Sequence, residues 1–131
     1  MPIDTSLEFV PINIAVITIS DSRTKENDAS GDTLEKRIID TGHQMIKRTI
    51  IPDDVSKIKD TLNAMSKEKD IDCIITTGGT GLTGRDTTPE AVKEIANKHI
   101  DGFGELFRQV SFEKIGTSAI QSRAVAALIN N

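Results

Sequence analysis

The chain has 131 residues, the size of one compact domain, with 16 basic against 20 acidic side chains and a net charge of −4. Aromatics make up 3%, Trp and Tyr are absent and no basic run occurs, which argues against nucleic acid as a partner, since such surfaces use stacking rings and clustered Lys and Arg. No apolar run is long enough to span a bilayer, no signal-peptide pattern follows Met1, and the lone Cys73 rules out an internal disulfide, so a cytoplasmic protein with no membrane partner is expected.

Ile12–Ser20 is β-branched and almost continuously apolar, the pattern of a strand buried on both faces. A charged loop over Asp21–Ala29 follows. Ser30 is the expected N-cap of a helix to about Thr41, with Leu34 and Ile38 on one face and Gly42 as its stop. His43–Ile51 reads as a weaker strand, broken by Pro52-Asp53-Asp54. Asp54 can cap a second helix to about Glu68, its stripe formed by Ile58, Leu62 and Met65. Ile71–Thr77 is a second buried strand, and Gly78–Thr87 is a loop with four of the nine glycines. Thr88-Pro89-Glu90 starts a helix with a cap, an early Pro and an acid near the positive dipole end. Gly102 and Gly104 are expected to break the chain before a helix over Glu105–Glu113. Gly116–Ser122 is a loop or short helix, and Arg123–Ile129 is an apolar strand. Strands alternating with helices imply an α/β fold with a largely parallel sheet covered on both faces. Asn130-Asn131 is hairpin-turn chemistry next to a strand without a partner, so the natural chain is expected to continue.

The chemistry concentrates in Gly78-Gly79-Thr80-Gly81-Leu82-Thr83-Gly84. In open α/β sheets, ligands bind at the carboxyl ends of the strands, and glycines let a phosphate approach backbone N–H groups. Thr76, Thr77 and Thr80 add hydroxyl donors. Residues 79–84 fit G-x-G-x-x-G, but the next helix starts too late for the dinucleotide fingerprint, and no P-loop lysine follows. Arg85-Asp86 is either an exposed ion pair or, beside a phosphate loop, a carboxylate holding Mg²⁺. Asp53 is either a turn residue or a second acid on the same rim. Ser20-Asp21-Ser22-Arg23 would reach that rim if the strands are parallel neighbours. Ser111 and Ser122-Arg123 could add phosphate contacts. His43 and His99 lack ligand-spaced partners, and Cys73 reads as a core residue.

Thr76-Thr77-Gly78-Gly79-Thr80-Gly81, then Arg85-Asp86, then Thr88-Pro89-Glu90-Ala91 resembles the signature of the molybdopterin-binding MoaB/MogA family, which includes the gephyrin G-domain. Ile17–Asp21, Pro52-Asp53-Asp54, Gly102-Phe103-Gly104-Glu105, Phe107-Arg108, Ser111, Gly116-Thr117-Ser118 and Gln121-Ser122-Arg123 extend the resemblance over nearly the whole chain. Ile115–Ala126 looks closest to the MoaB branch. The resemblance implies a three-layer α/β/α sandwich and a trimer or dimer of trimers. It also implies a role in molybdenum cofactor biosynthesis, in which molybdopterin is adenylylated with ATP and Mg²⁺. By that likeness Asp86 and Asp53 are the catalytic, metal-holding acids, and Thr76 to Gly81 hold pterin or phosphate. Ser20, Asp21, Arg85, Ser111 and Ser122 line the substrate. The resemblance further implies that residues 1–131 form one molybdopterin-binding domain lacking its C-terminal strand and helix. A non-catalytic pterin-binding or scaffolding oligomer of the same family is the alternative. Retention of two acids beside phosphates favours the enzyme, because a pure binder gains only repulsion from them.

Overall fold

The computed structural model describes residues 2–130; Met1 and Asn131 lie outside the described residues. In chain order the elements are β1 (Asn13–Ile19), α1 (Ala29–Asp40), β2 (Gln44–Ile51), α2 (Val55–Ser66), β3 (Cys73–Thr77), α3 (Thr88–Ile95), β4 (Lys98–His99), α4 (Asp101–Ile115), a 3-10 turn (Gly116–Gln121) and β5 (Ala127–Leu128). β1 is central in a parallel sheet of order β2-β1-β3. Its register pairs Ile19 with Ile51 of β2 and Thr18 with Thr77 of β3. All three strands therefore end at one rim.

The side chains of β1 alternate between two cores. Ala15, Ile17 and Ile19 pack with Ile58, Leu62 and Met65 of α2 and Ala91 of α3. Ile14 and Val16 pack with Ile38 of α1, against which Cys73 and Ile75 also lie. Both faces of the sheet are covered, giving the three-layer α/β/α sandwich. Val16, Ile17 and Ile58 have no exposed surface, and each contributes on the order of 1.5–3 kcal/mol of apolar burial. That double coverage is why β1 reads as an uninterrupted apolar run.

Several boundaries differ from the sequence reading. Helix α1 starts at Ala29, capped by Asp28 rather than Ser30, because the Asp28 carboxylate accepts the Gly31 N–H at 3.0 Å. Gly102 and Gly104 lie inside α4 rather than before it. The helix passes so close to the later chain that a Cβ on Gly104 would stand 2.7 Å from the Ala124 carbonyl. The expected strand over Arg123–Ile129 narrows to Ala127–Leu128, antiparallel to β4. Its first residues are engaged elsewhere: the Ser122 and Ala124 carbonyls accept the Arg108 guanidinium at 3.2 and 3.3 Å. Among the described residues, no helix is long and apolar enough to cross a membrane.

Candidate functional site

The connections leaving β1, β2 and β3 bring three acids to the rim: Asp21, Asp53 and Asp86. Asp21 Oδ1 accepts the Asp53 N–H at 3.1 Å, and its Oδ2 pairs with Arg85, whose Nε lies at 3.0 Å. Arg85 therefore reaches across to Asp21 rather than pairing with its neighbour Asp86. Asp86 Oδ2 accepts the Thr83 N–H at 3.0 Å and the Thr83 hydroxyl at 2.7 Å. Asp53 is different. Its Oδ1 is buried with no hydrogen-bond partner, and a Cβ added to Gly79 would stand 2.9 Å from it.

The three carboxyls titrate differently because of these surroundings. The Thr83 hydroxyl and N–H, with help from the Gly81 N–H and Arg123, hold Asp86 below the usual carboxylate range. Arg85 and the Asp53 N–H do the same for Asp21. Asp53 is pushed up, first by burial and then by the charges of Asp21 and Asp86. An acid with an orphaned oxygen beside two ionised neighbours is a place where a cation lowers the energy. Asp53 and Asp86 are the residues that could hold a cation such as Mg²⁺ here. Among the described residues, no group of three or more Asp, Glu, His or Cys could hold a metal ion by itself. The remaining coordination would fall to substrate oxygens and water.

Local conformation explains the glycines. Gly78 and Gly79 have φ of +102° and +69°, the left-handed region that side-chain-bearing residues avoid. Their carbonyls accept the Thr88 hydroxyl at 3.0 Å and the Thr88 N–H at 3.1 Å, tying the loop to the start of α3. Thr88 is buried and helical, and the N-cap is Thr87, one residue earlier than the sequence suggests. The Thr87 hydroxyl is also buried without a partner.

Two shallow hollows lie along the rim, the second of them lined by Asp86. One of about 200 Å³ is lined by Ser20, Arg23, Asp28, Thr77 and Gly78. The other, about 320 Å³, is lined by Thr83, Asp86, Thr87, Glu90 and Arg123. Ser20 borders the first, but its hydroxyl oxygen accepts the Ser22 and Arg23 N–H groups at 3.2 and 3.1 Å, so it also shapes its own turn. Thr76 pairs with Ile17 inside the sheet. Thr80 presents its carbonyl to the Arg123 N–H at 3.2 Å. Ser122 immediately precedes Arg123 and so sits beside the loop. Ser111, half-buried on α4, has no hydrogen bond to the loop among the described residues. The sequence reading missed Thr83, although a hydroxyl three residues before an Asp in a glycine-rich turn is a recognisable local hydrogen-bonding pattern. It offered Arg123 a phosphate contact as one option, whereas the guanidinium is engaged with the loop itself.

Comparison with known proteins identifies the family of the chain. Residues 15–130 match the family profile described as "Probable molybdopterin binding domain". The chain is 41% identical over 125 residues to "Molybdenum cofactor biosynthesis protein B" of Escherichia coli, covering 95% of this chain and 74% of that protein. It is 41% identical over 124 residues to the "Probable molybdopterin adenylyltransferase" of Methanocaldococcus jannaschii, covering 89% and 73%. A crystal structure of a molybdenum cofactor biosynthesis protein B superposes with a TM-score of 0.88 at 41% identity, covering 92% of this chain and 75% of that one.

Proposed function

Because the chain belongs to the molybdopterin-binding domain family, we propose that it acts in molybdenum cofactor biosynthesis and transfers the adenylyl group of ATP to molybdopterin. The observation that carries this reading is the rim itself. A glycine loop suited to phosphate lies beside Asp86, held ionised, and Asp53, whose buried Oδ1 is unpartnered.

In the proposed step, a terminal phosphate oxygen of molybdopterin attacks the α-phosphorus of ATP. The new P–O bond forms as the bond to the bridging oxygen breaks, and pyrophosphate leaves. A phosphate is already an anionic nucleophile, so no side chain has to generate one. The protein's task is alignment and charge balance. Loop N–H groups and threonine hydroxyls bind phosphate oxygens, and Arg85, exposed on the rim beside Asp21, adds positive charge. Asp53 and Asp86 would hold Mg²⁺, which supplies charge neutralisation on phosphate oxygens when bound. The hollow lined by Thr83, Asp86 and Thr87 offers room for substrate beside the acid. We place the reaction in the cytoplasm, where ATP is available.

We further propose a trimer or dimer of trimers. Phe103, Leu106, Phe107 and Val110 of α4 are all more than 40% exposed at helical spacing, and a continuous apolar face of this kind is costly to leave in water.

The test is incubation of the protein with molybdopterin, ATP and Mg²⁺, followed by chromatography for adenylylated pterin and assay of pyrophosphate. Formation of both in equal amounts is expected. Tight molybdopterin binding with neither product would reject the enzyme and favour a pterin-binding scaffold.

A further inference from the structure

We propose that Arg123 is a positioning residue that clamps the middle of the glycine loop to its far end and so sets the shape in which Asp86 and the loop N–H groups meet the substrate, an inference that rests on the adenylyl-transfer reading above. The Arg123 backbone N–H donates to the Thr80 carbonyl at 3.2 Å. Its Nε donates to the Gly81 carbonyl at 2.6 Å, and its Nη2 to the Asp86 carbonyl at 2.6 Å. Nη1 pairs with Glu90 in the first turn of α3. One planar group thus joins the middle of the loop, its far end and the following helix.

A guanidinium presents its donors in a fixed fork, so carbonyls bound to different arms are locked relative to one another. Peptide planarity carries that lock further. A carbonyl turned toward Arg123 turns the N–H of the next residue to the opposite side. The N–H groups of Gly81, Leu82 and Thr87 are therefore directed away from the guanidinium. Gly81 itself lies against the acid: an added Cβ would stand 2.7 Å from Asp86 Oδ2. Between Gly81 and Asp86 the loop is held internally by the Thr83–Asp86 turn and the Arg85 N–H to Thr83 hydroxyl bond, and externally by the exposed Arg85–Asp21 pair, which holds it weakly. Without the clamp, that turn would open more often, freeing its amides and releasing the carboxylate from its set position.

The clamp is itself supported from α4, where Arg108 grips the carbonyls of Ser122 and Ala124 on either side of Arg123. Each nitrogen of the Arg123 guanidinium already donates to a protein acceptor, so we assign it to the loop rather than to a phosphate. Lysine cannot replace it: an ammonium radiates from one point and cannot span carbonyls on two stretches of backbone while pairing with Glu90.

Arg123→Lys and Arg123→Ala, made in the full chain, separate clamping from charge. Amide hydrogen exchange at Thr83 and Asp86 should accelerate about tenfold or more in both variants, with β1 amides at the parent rate. Turnover should fall about 10- to 100-fold in both, with KM for ATP changed less than about threefold, because misplacement of a positioned group is paid in kcat. Loop exchange at the parent rate, an Arg123→Lys variant equal to the parent, or a loss confined to KM would each overturn the proposal. Should Arg123→Ala fail to fold, Arg123→Lys alone decides it. If the parent protein forms no adenylylated pterin, the functional reading fails, and loop exchange still decides whether Arg123 clamps.

Discussion

Asp53 and Asp86 share one rim and have opposite electrostatic settings. Thr83 and the loop N–H groups stabilise the charge of Asp86, so Asp86→Asn keeps the shape and removes what a cation would use. Turnover should drop about 100-fold or more, while molybdopterin binding changes far less, as paired kinetic and binding measurements would show. Asp53 has a raised pKa, so the folded state binds its proton more tightly than the unfolded chain does. Its contribution to stability is present below the ordinary aspartate value and is lost as pH rises through the raised one. Asp53→Asn should therefore raise the melting temperature at pH 7 without Mg²⁺ by roughly 2–4 °C, with the gain shrinking toward pH 4. Mg²⁺ should raise the melting temperature of the parent but not of the variant. Asp86 and the glycines were legible in the sequence because their chemistry is local. The clamp by Arg123 was not: its acceptors are carbonyls, which every residue carries, and one lies 42 positions away.

At the scale of elements, β1 and α2 follow directly from an apolar run and a stripe of Ile58, Leu62 and Met65. The start of α1 does not, because its cap is chosen by tertiary contacts. Asp28 is fully buried and accepts the Thr18 hydroxyl at 2.7 Å, the Gly31 N–H at 3.0 Å and Arg48 at 3.0 Å. Arg48 in turn pairs with Asp32 and Glu35 of the same helix. Burial acts to raise the pKa of Asp28, but the Thr18, Gly31 and Arg48 contacts outweigh it and hold the carboxyl below its usual range. The stability it contributes is present above the ordinary aspartate value and is lost as pH falls through the lowered one. Asp28→Ala removes a cap and leaves Arg48 short of a buried partner, and should cost about 2–4 kcal/mol in urea unfolding at pH 7. β4 and β5 were illegible for a simpler reason: a pair of two-residue strands is too short to show a periodicity.

Across the whole molecule, the sheet and its two cores account for most of the chain through α3, whereas α4 buries only Gly104. The apolar pattern of α4 is that of a helix with something against it. Light scattering at micromolar concentration should report a trimer or hexamer, and Leu106→Glu, at a side chain 61% exposed, should shift the mass toward the monomer with little change in melting of the sheet. A monomeric parent would reject the assembly. The central place of β1 has a consequence for biogenesis. Both of its sheet neighbours come later in the chain, so a nascent polypeptide emerges with its most apolar segment, Asn13–Ile19, open on two edges. Pairing must wait for β2 and β3, and long-range closure of this kind is slow. During that delay the segment is exposed to self-association, which a folding intermediate pays for in yield. The three acids ride on the connections that follow these same strands. The rim can therefore assemble only once the aggregation hazard is buried.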